Sequence, residues 1–146
     1  MNLRVAFAVS LLSLSVGAPL VAQVQPATPD ETAVRAVVTS YLHGLKFNDV
    51  PSLKKAFWPE ARLYFTTRDG HLGQLTQPAW YAGFAKSAGK EEPGDLRIIA
   101  LEVTNDVASV KVLEEYPDSR YTDYLSLVRF DGQWWIVSKI YTAERR

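Results

Sequence analysis

Residues 120–141, RYTDYLSLVRFDGQWWIVSKIY, decide the fold, because they predict two long β-strands joined by a tight turn. The dipeptide Asp131-Gly132 favours the two-residue turns that close β-hairpins. A turn of this length pairs Phe130 with Gln133 and fixes the register of both strands from there outward. The stretch therefore predicts a long antiparallel hairpin around which the sheet is built.

The two faces of this hairpin follow from the alternation of side chains along each strand. The more aliphatic face is predicted to line the core, and it carries Tyr121, Asp123, Leu125, Leu127, Arg129, Trp134, Ile136, Ser138 and Ile140. The opposite, convex face is predicted to carry Thr122, Tyr124, Ser126, Val128, Phe130, Trp135, Val137, Lys139 and Tyr141. This alternation places Asp123 among aliphatic neighbours, where an unpaired carboxylate is strongly destabilising. Asp123 is therefore the first candidate functional residue.

The composition is that of one nearly neutral domain. The chain has 146 residues, of which 47% are hydrophobic, enough to bury a single core. Its 16 basic residues balance its 16 acidic ones without forming a basic stripe, so nucleic acid is not an expected partner. The lack of cysteine excludes disulfides and thiolate chemistry. The two histidines have no ligand spacing and no phosphate-binding glycine loop occurs, so we predict neither a metal ion nor a cofactor.

The N-terminus has the plan of a secretory signal peptide. Arg4 gives it a positive start, and an apolar run over residues 5–16 is followed by small residues. That run is short for a transmembrane helix. We predict a signal peptide over residues 1–22 with cleavage after Ala22, Ala18 being the alternative. The mature protein is then periplasmic or secreted and has no membrane span.

The rest of the chain divides into a short leader, residues 23–29, and one domain, residues 30–146. Capping residues and turn dipeptides place the elements of this domain. They predict helices beginning near Thr28, Asp49 and Thr76, of which the second runs through Phe57 and is closed by Pro59. They also predict hairpins that turn at 69–70 and 105–106, and a surface loop over 86–95. This order predicts an α+β fold in which helices cover one face of a curved sheet.

Five short motifs resemble a known group of proteins: YLHG at 41–44, FWPEA at 57–61, DG at 69–70, YTDYL at 121–125 and DGQWWIVSK at 131–139. With them the chain resembles the nuclear-transport-factor-2-like superfamily and, within it, the putative lumazine-binding family of small bacterial proteins. The resemblance implies a cone-shaped fold, with three N-terminal helices covering a strongly curved, mainly antiparallel sheet, and pairing of two chains through the backs of their sheets. It leaves the chemistry open, because the superfamily includes isomerases, dehydratases, cyclases and pure binders. Trp58 departs from the pattern, since many members have histidine there.

Three residues form the candidate catalytic group: Asp123, Glu114 and Tyr41. We predict that Glu114 and Asp123 lie side by side on the inner face, with Arg97 opposite Glu114 if the turn at 105–106 has two residues. Two close carboxylates raise each other's pKa and a guanidinium lowers both, so the group either holds a proton near neutral pH or forms a structural ion-pair network. Tyr41 either donates to a ligand oxyanion, by analogy of fold with ketosteroid isomerases, which use a tyrosine at a similar place, or packs as a core aromatic.

Aromatic residues supply the candidate ligand-binding group. Trp58, Trp80, Tyr81 and Phe84 suit an apolar cavity for a flat or aromatic ligand, although core packing is the commoner fate of such residues. Tyr121 and Arg97 join this group on the inner face. His71 follows a turn, and it points either into the mouth of the cavity or into water.

Three functions remain open from the sequence. The first is an exported small-molecule-binding domain without assigned chemistry, and the second is a cofactor-independent lyase or isomerase that moves a proton with a pocket carboxylate. If the protein is an enzyme, we expect an isomerase, dehydratase or cyclase. The third is an interaction module, because the apolar convex face of the main hairpin predicts a homodimer formed sheet to sheet.

Overall fold

The computed structural model describes residues 26–146, which form three helices and one six-stranded sheet. The helices are α1 (Pro29–Lys46), α2 (Val50–Ala56) and α3 (Gln77–Ala82). The strands are β1 (Phe57–Thr66), β2 (Leu72–Thr76), β3 (Asp95–Thr104), β4 (Val107–Glu115), β5 (Ser119–Phe130) and β6 (Gln133–Arg145). Their order across the sheet is β2-β1-β6-β5-β4-β3, and all neighbours are antiparallel except β1 and β6. The predicted α+β fold with a mainly antiparallel, curved sheet is confirmed.

The helix starts follow the capping residues. Thr28 and Glu31 form the predicted capping box at the start of α1, each side chain accepting from the other's backbone N–H. Thr76 caps α3 by accepting from Ala79 N. The second helix ends earlier than predicted, at Ala56, because Phe57 is already extended and pairs with β6 as the first residue of β1. Pro59 lies within that strand.

The main hairpin has the predicted turn. Asp131 and Gly132 both have positive φ angles, 50° and 74°, as the turn type requires, and Phe130 pairs with Gln133. The predicted register holds as far as Leu127 and Ile136. Beyond that point it shifts by one residue, because a β-bulge lies between Ser126/Ser138 and Leu127/Ile136.

This bulge reverses the faces of the second half of β6. Val137 is the extra residue, so Lys139 and Tyr141 point toward the inner face instead of the convex one. Ile140, predicted to be inside, is 52% exposed. The prediction that Lys139 lies on the convex face is therefore wrong.

A second bulge changes the register of the β3–β4 hairpin. The turn at Asn105 and Asp106 has two residues, as predicted, and Thr104 pairs with Val107. The pairing then shifts between Ala100 and Ile98, where Ile99 is the extra residue. This shift decides where Arg97 lies.

The helices pack on the inner face of the sheet and form the core with it. The core is centred on fully buried apolar residues, which include Val34, Val38, Leu53, Phe57, Leu125, Leu127 and Ile136. Gly44 allows α1 and α2 to approach closely, because a Cβ at that position would collide with the side chain of Leu53. We expect substitutions in this core to be destabilising by about 2–5 kcal/mol each for a change from leucine to alanine.

The predicted signal peptide, residues 1–22, and the first three residues of the leader, 23–25, lie outside the described residues. Within residues 26–146, the structure contains no helix that is long and apolar enough to cross a bilayer.

Candidate functional site

Four polar side chains from four different elements meet between the helices and the sheet. The Tyr41 hydroxyl of α1 is hydrogen-bonded to Asp123 Oδ2 of β5 and lies 3.0 Å from Glu114 Oε1 of β4. The Lys139 ammonium of β6 donates to Tyr41 Oη at 2.6 Å and lies 2.7 Å from Asp123 Oδ2. We call these four residues the polar cluster. They contact one another although they are separated by up to 98 positions in the chain.

Local structure explains why these side chains face inward. Tyr41 lies in the apolar stripe of α1 and its ring packs edge-on against Phe57, with 5.4 Å between the ring centroids. Glu114 pairs with Tyr121 and not with Asp123, a shift of two residues from the prediction. Because side chains alternate with a period of two, this shift keeps both carboxylates on the same face.

A cavity with a volume of ≈ 470 Å³ opens beside the polar cluster, within the range of small-molecule sites. Glu114 and Lys139 line it. Tyr41 and Asp123 are fully buried behind them and do not reach the cavity. The remaining lining residues are Leu45, Asn48, Leu63, Trp80, Phe84, Glu92, Pro93, Tyr116, Pro117, Asp118, Ser119, Tyr121 and Tyr141. The cavity thus has aromatic walls and one buried acid–cation pair.

Burial sets the protonation states of the cluster. Burial raises the pKa of Glu114 to about 8; the nearby Lys139 ammonium lowers this pKa and the negative charge of Asp123 raises it. Burial by itself would lower the pKa of Lys139, but the attraction of Asp123 and Glu114 outweighs burial and raises it. The pKa of Tyr41 is raised well above its usual value by burial and by the two carboxylates. Near neutral pH, Lys139 is therefore an ammonium, and Glu114 is mostly protonated with a smaller carboxylate fraction.

The Lys139 ammonium retains hydrogen-bonding capacity toward the cavity. It has three N–H donors, and two are used by Tyr41 Oη and Asp123 Oδ2. Glu114 Oε1 lies 3.8 Å away, close enough for an ion pair but too far for a hydrogen bond. One N–H is therefore left for an oxygen of a bound molecule.

The structure brings some of the predicted site residues together. Trp80, Phe84 and Tyr121 line the cavity, as does Glu114. Tyr41 and Asp123 join Glu114 in the cluster but face away from the cavity, so neither can touch a molecule bound there without a rearrangement.

Arg97 is not part of the site. The bulge at Ile99 places Arg97 opposite Leu113, on the other face from the predicted one. There it forms ion pairs with Asp95 and with Glu115, the latter at 2.6 Å. Leu96 pairs with Glu114 instead, and the cation next to the two carboxylates is Lys139 of β6.

Three predicted ligand-binding aromatic or histidine residues also lie elsewhere. Trp58 points outward because Phe57 takes the inward position at the start of β1. The Trp58 ring packs against the rings of Phe130 and Trp135. Tyr81 lines a second, separate cavity. The side chain of His71 is 80% exposed at the turn before β2.

Sequence reasoning missed Lys139 and Tyr141 as site residues. Both residues would be placed on the inner face if the bulge at Val137 were recognised from the sequence. No local signal marks that bulge, because both faces of β6 are rich in large apolar residues and either register satisfies the pattern. Within the described part of the chain, no group of three or more histidine, aspartate or glutamate side chains could hold a metal ion.

Comparison with known proteins gives one curated relative and several similar structures. A Cladobotryum sp. protein described as Aldolase FrzH is 27% identical over 114 residues, which is 78% of this chain and 91% of that protein. An NTF-2 like protein of unknown function from Silicibacter pomeroyi is 27% identical, with a TM-score of 0.70 over 81% of this chain and 100% of the other. A ketosteroid isomerase-like protein from Erwinia carotovora shares the fold alone, at 13% identity and a TM-score of 0.61 over 80% of this chain and 98% of the other.

The family match covers most of the chain. Residues 29–142, which include every helix and strand except the last residues of β6, match the model of the family described as Putative lumazine-binding. The range also contains all four residues of the polar cluster and the whole cavity lining. The chain belongs to this putative lumazine-binding family, within the NTF2-like superfamily.

Proposed function

We propose that this chain, a small-molecule-binding domain of the NTF2-like fold, is also an enzyme. It is a cofactor-independent enzyme that transfers a proton at a carbon next to a carbonyl group of a small, flat, apolar molecule. The observation that carries this proposal is that Glu114 and Lys139 face the same cavity, with Asp123 and Tyr41 holding them from behind.

The chemistry needs a base and a cation. The Glu114 carboxylate takes the proton from the carbon, the C–H electron pair forms the carbon–carbon double bond of an enolate, and the carbonyl π pair moves onto oxygen. The free N–H of Lys139 hydrogen-bonds that oxyanion, where a preorganised charge has its largest effect. Return of the proton to a carbon gives isomerisation. Attack of the enolate on a second carbonyl carbon forms a carbon–carbon bond, and its reversal breaks one.

Lys139 acts here as an ammonium and not as a nucleophile. Asp123 lies 2.7 Å from it and favours the charged form, in which the nitrogen has no lone pair with which to attack a carbonyl. Asp123 and Tyr41, predicted from the sequence as catalytic, are positioning residues in this proposal. The relative described as an aldolase supports enolate chemistry in this group of proteins.

Solvent exchange tests the proposal. β-Tetralone is a flat aromatic ketone with acidic C–H groups next to its carbonyl, and it suits the aromatic walls formed by Trp80, Phe84 and Tyr121. We expect the protein to accelerate the replacement of these protons by deuterium in heavy water, followed by NMR. Binding without acceleration would favour the alternative, a pure binding domain, which is supported by the contacts that Tyr41 and Asp123 already make with Glu114 and Lys139 within the cluster.

We also propose that the protein is exported. Arg4, the apolar run over residues 5–16 and the small residues that follow support this. Mass spectrometry of the protein from the periplasm or the culture medium of its host is expected to give an N-terminus close to Gln23. Full-length protein beginning at Met1 in the cytoplasm would contradict export.

We propose that the protein forms a homodimer in which the convex faces of the two sheets pack against each other. On the convex face Tyr124 pairs with Ile140, and these large side chains are 49% and 52% exposed. Trp135 and Phe130 lie on the same face beneath Trp58. Large apolar groups grouped in this way are typical of interfaces.

Changing Ile140 to glutamate is expected to separate the dimer into folded monomers, because it places a charge in a desolvated contact. Light scattering measures the mass. Ala36→Glu is the matched control, since Ala36 is exposed on α1, which packs on the opposite, inner face of the sheet, and should leave the mass unchanged. A wild-type mass of one chain at high protein concentration would exclude the dimer.

A further inference from the structure

A second cavity lies on the other side of Phe57 from the polar cluster. Its volume is ≈ 400 Å³, and it is lined by Lys54, Phe57, Pro59, Gln77, Pro78 and Tyr81, none of which lines the first cavity. The two cavities are separated by packed rings, since Phe57 contacts Trp80 and Trp80 contacts Tyr81, with centroid distances of 5.3 Å and 5.5 Å. This second cavity has a size that suits a small molecule.

Gln77 gives the second cavity one buried polar group. The residue is 3% exposed, and its Nε2 donates to the backbone oxygen of Ala61 over a long 3.5 Å. That contact assigns the nitrogen to the Ala61 side of the amide, because the carbonyl oxygen of Ala61 can only accept. The other amide atom, Gln77 Oε1, is buried without a hydrogen-bond partner among residues 26–146. A buried acceptor in this state is less stable than a paired one by about 1–3 kcal/mol.

Apart from Lys54, the remaining lining is apolar and rigid. Pro59 and Pro78 have fixed φ angles, and the rings of Phe57 and Tyr81 provide flat surfaces. The Lys54 ammonium lies 5.8 Å from the centroid of the Tyr81 ring, at the edge of the cavity. The walls therefore favour a flat apolar body, and Gln77 Oε1 favours a ligand that can donate one hydrogen bond.

We propose that this cavity is a second binding site, for a flat, uncharged, apolar molecule that carries one O–H or N–H group. Gln77 Oε1, which has almost no accessible surface in this structure, becomes the acceptor when the amide turns toward the ligand and gives up its long contact with Ala61. The site does not depend on proton transfer in the first cavity. A ligand in this site would be separated from the polar cluster by the packed rings of Phe57 and Trp80.

A matched pair of probes tests the site. β-Naphthol has a flat apolar body and one O–H donor, and its methyl ether differs only in lacking that donor. In the wild-type protein we expect β-naphthol to shift the NMR signals of the Gln77 side-chain amide and to bind about tenfold more tightly than the ether, the effect of one net hydrogen bond. Equal affinities, or no binding of either probe, would overturn the proposal without any variant being made.

Two variants then locate the binding. Gln77→Met keeps the length and apolar volume of the side chain but removes the acceptor, so the preference for β-naphthol is expected to disappear. Phe84→Ala opens the first cavity and should leave the preference and the affinity unchanged, because Phe84 lines only that cavity. A preference that persists in Gln77→Met, or one that is lost in Phe84→Ala, would assign the probe to a different site and contradict the proposal.

Discussion

Replacing Glu114 with glutamine is expected to lower the rate of deuterium exchange on β-tetralone by about a hundredfold or more, because the amide cannot accept the proton that the carboxylate takes. The amide keeps the shape of the side chain and its contact with Tyr41, which lies 3.0 Å from Glu114 Oε1. We therefore expect the variant to fold and to bind β-tetralone with little change in affinity. A loss in rate with binding retained is the pattern of a group that acts in the transition state.

The pH dependence of the exchange adds a second readout. The base form of Glu114 is the deprotonated one, so the wild-type rate should rise with pH and level off above a pKa of about 8. In Glu114→Gln this rise should be absent. A solvent-exposed carboxylate at the rim of the cavity provides the control: Asp118→Asn should keep both the rate and its pH dependence, since Asp118 is far more exposed than Glu114. Equal exchange rates for the wild type and Glu114→Gln would exclude Glu114 as the base.

Replacing Lys139 with methionine is expected to lower the free energy of unfolding by about 3–5 kcal/mol, as measured by denaturant titration. Methionine preserves most of the volume of the lysine stem but removes the cation. Asp123, which is fully buried, then has no cation within the cluster to pair with. The loss comes from this isolated charge more than from the lost attraction.

A double-mutant cycle separates these two contributions. Asp123→Asn removes the charge and keeps the shape, so the variant that combines it with Lys139→Met has neither charge and should recover most of the stability lost in Lys139→Met alone. Additive losses in the two single variants would show that the two side chains do not interact. That result would contradict the ion pair on which the protonation states of the cluster depend.

The sequence predicted those parts of the fold that are set by local residue patterns. The capping residues Thr28 and Thr76 and the turns at 105–106 and 131–132 all lie where they were predicted, because each acts over a few neighbouring positions. Asp123 was identified as an inward carboxylate for the same reason, since the alternation of β5 is regular from the turn to that residue.

The parts that were not predicted depend on two bulges. A bulge inserts one residue into a strand, and each side chain beyond the bulge, counted away from the hairpin turn, then points to the opposite face. At Ile99 this removes Arg97 from the site, and at Val137 it brings in Lys139. Both residues are long cations on strands with apolar side chains on each face, so the residue pattern alone fits either register. The parallel pairing of β1 with β6, which involves residues far apart in the chain, likewise has no local signal.

Proton transfer in this cavity requires a carboxyl group that binds and releases a proton near neutral pH. The most direct measurement is the ¹³C chemical shift of the Glu114 side-chain carboxyl group, followed by NMR as the pH is raised and assigned by its absence in Glu114→Gln. We predict that this signal titrates with a pKa of about 8, because burial outweighs the nearby Lys139 ammonium. A signal that titrates with the pKa of an ordinary, solvent-exposed glutamate, about 4, would contradict the proposed role of Glu114 and, with it, the proposed function.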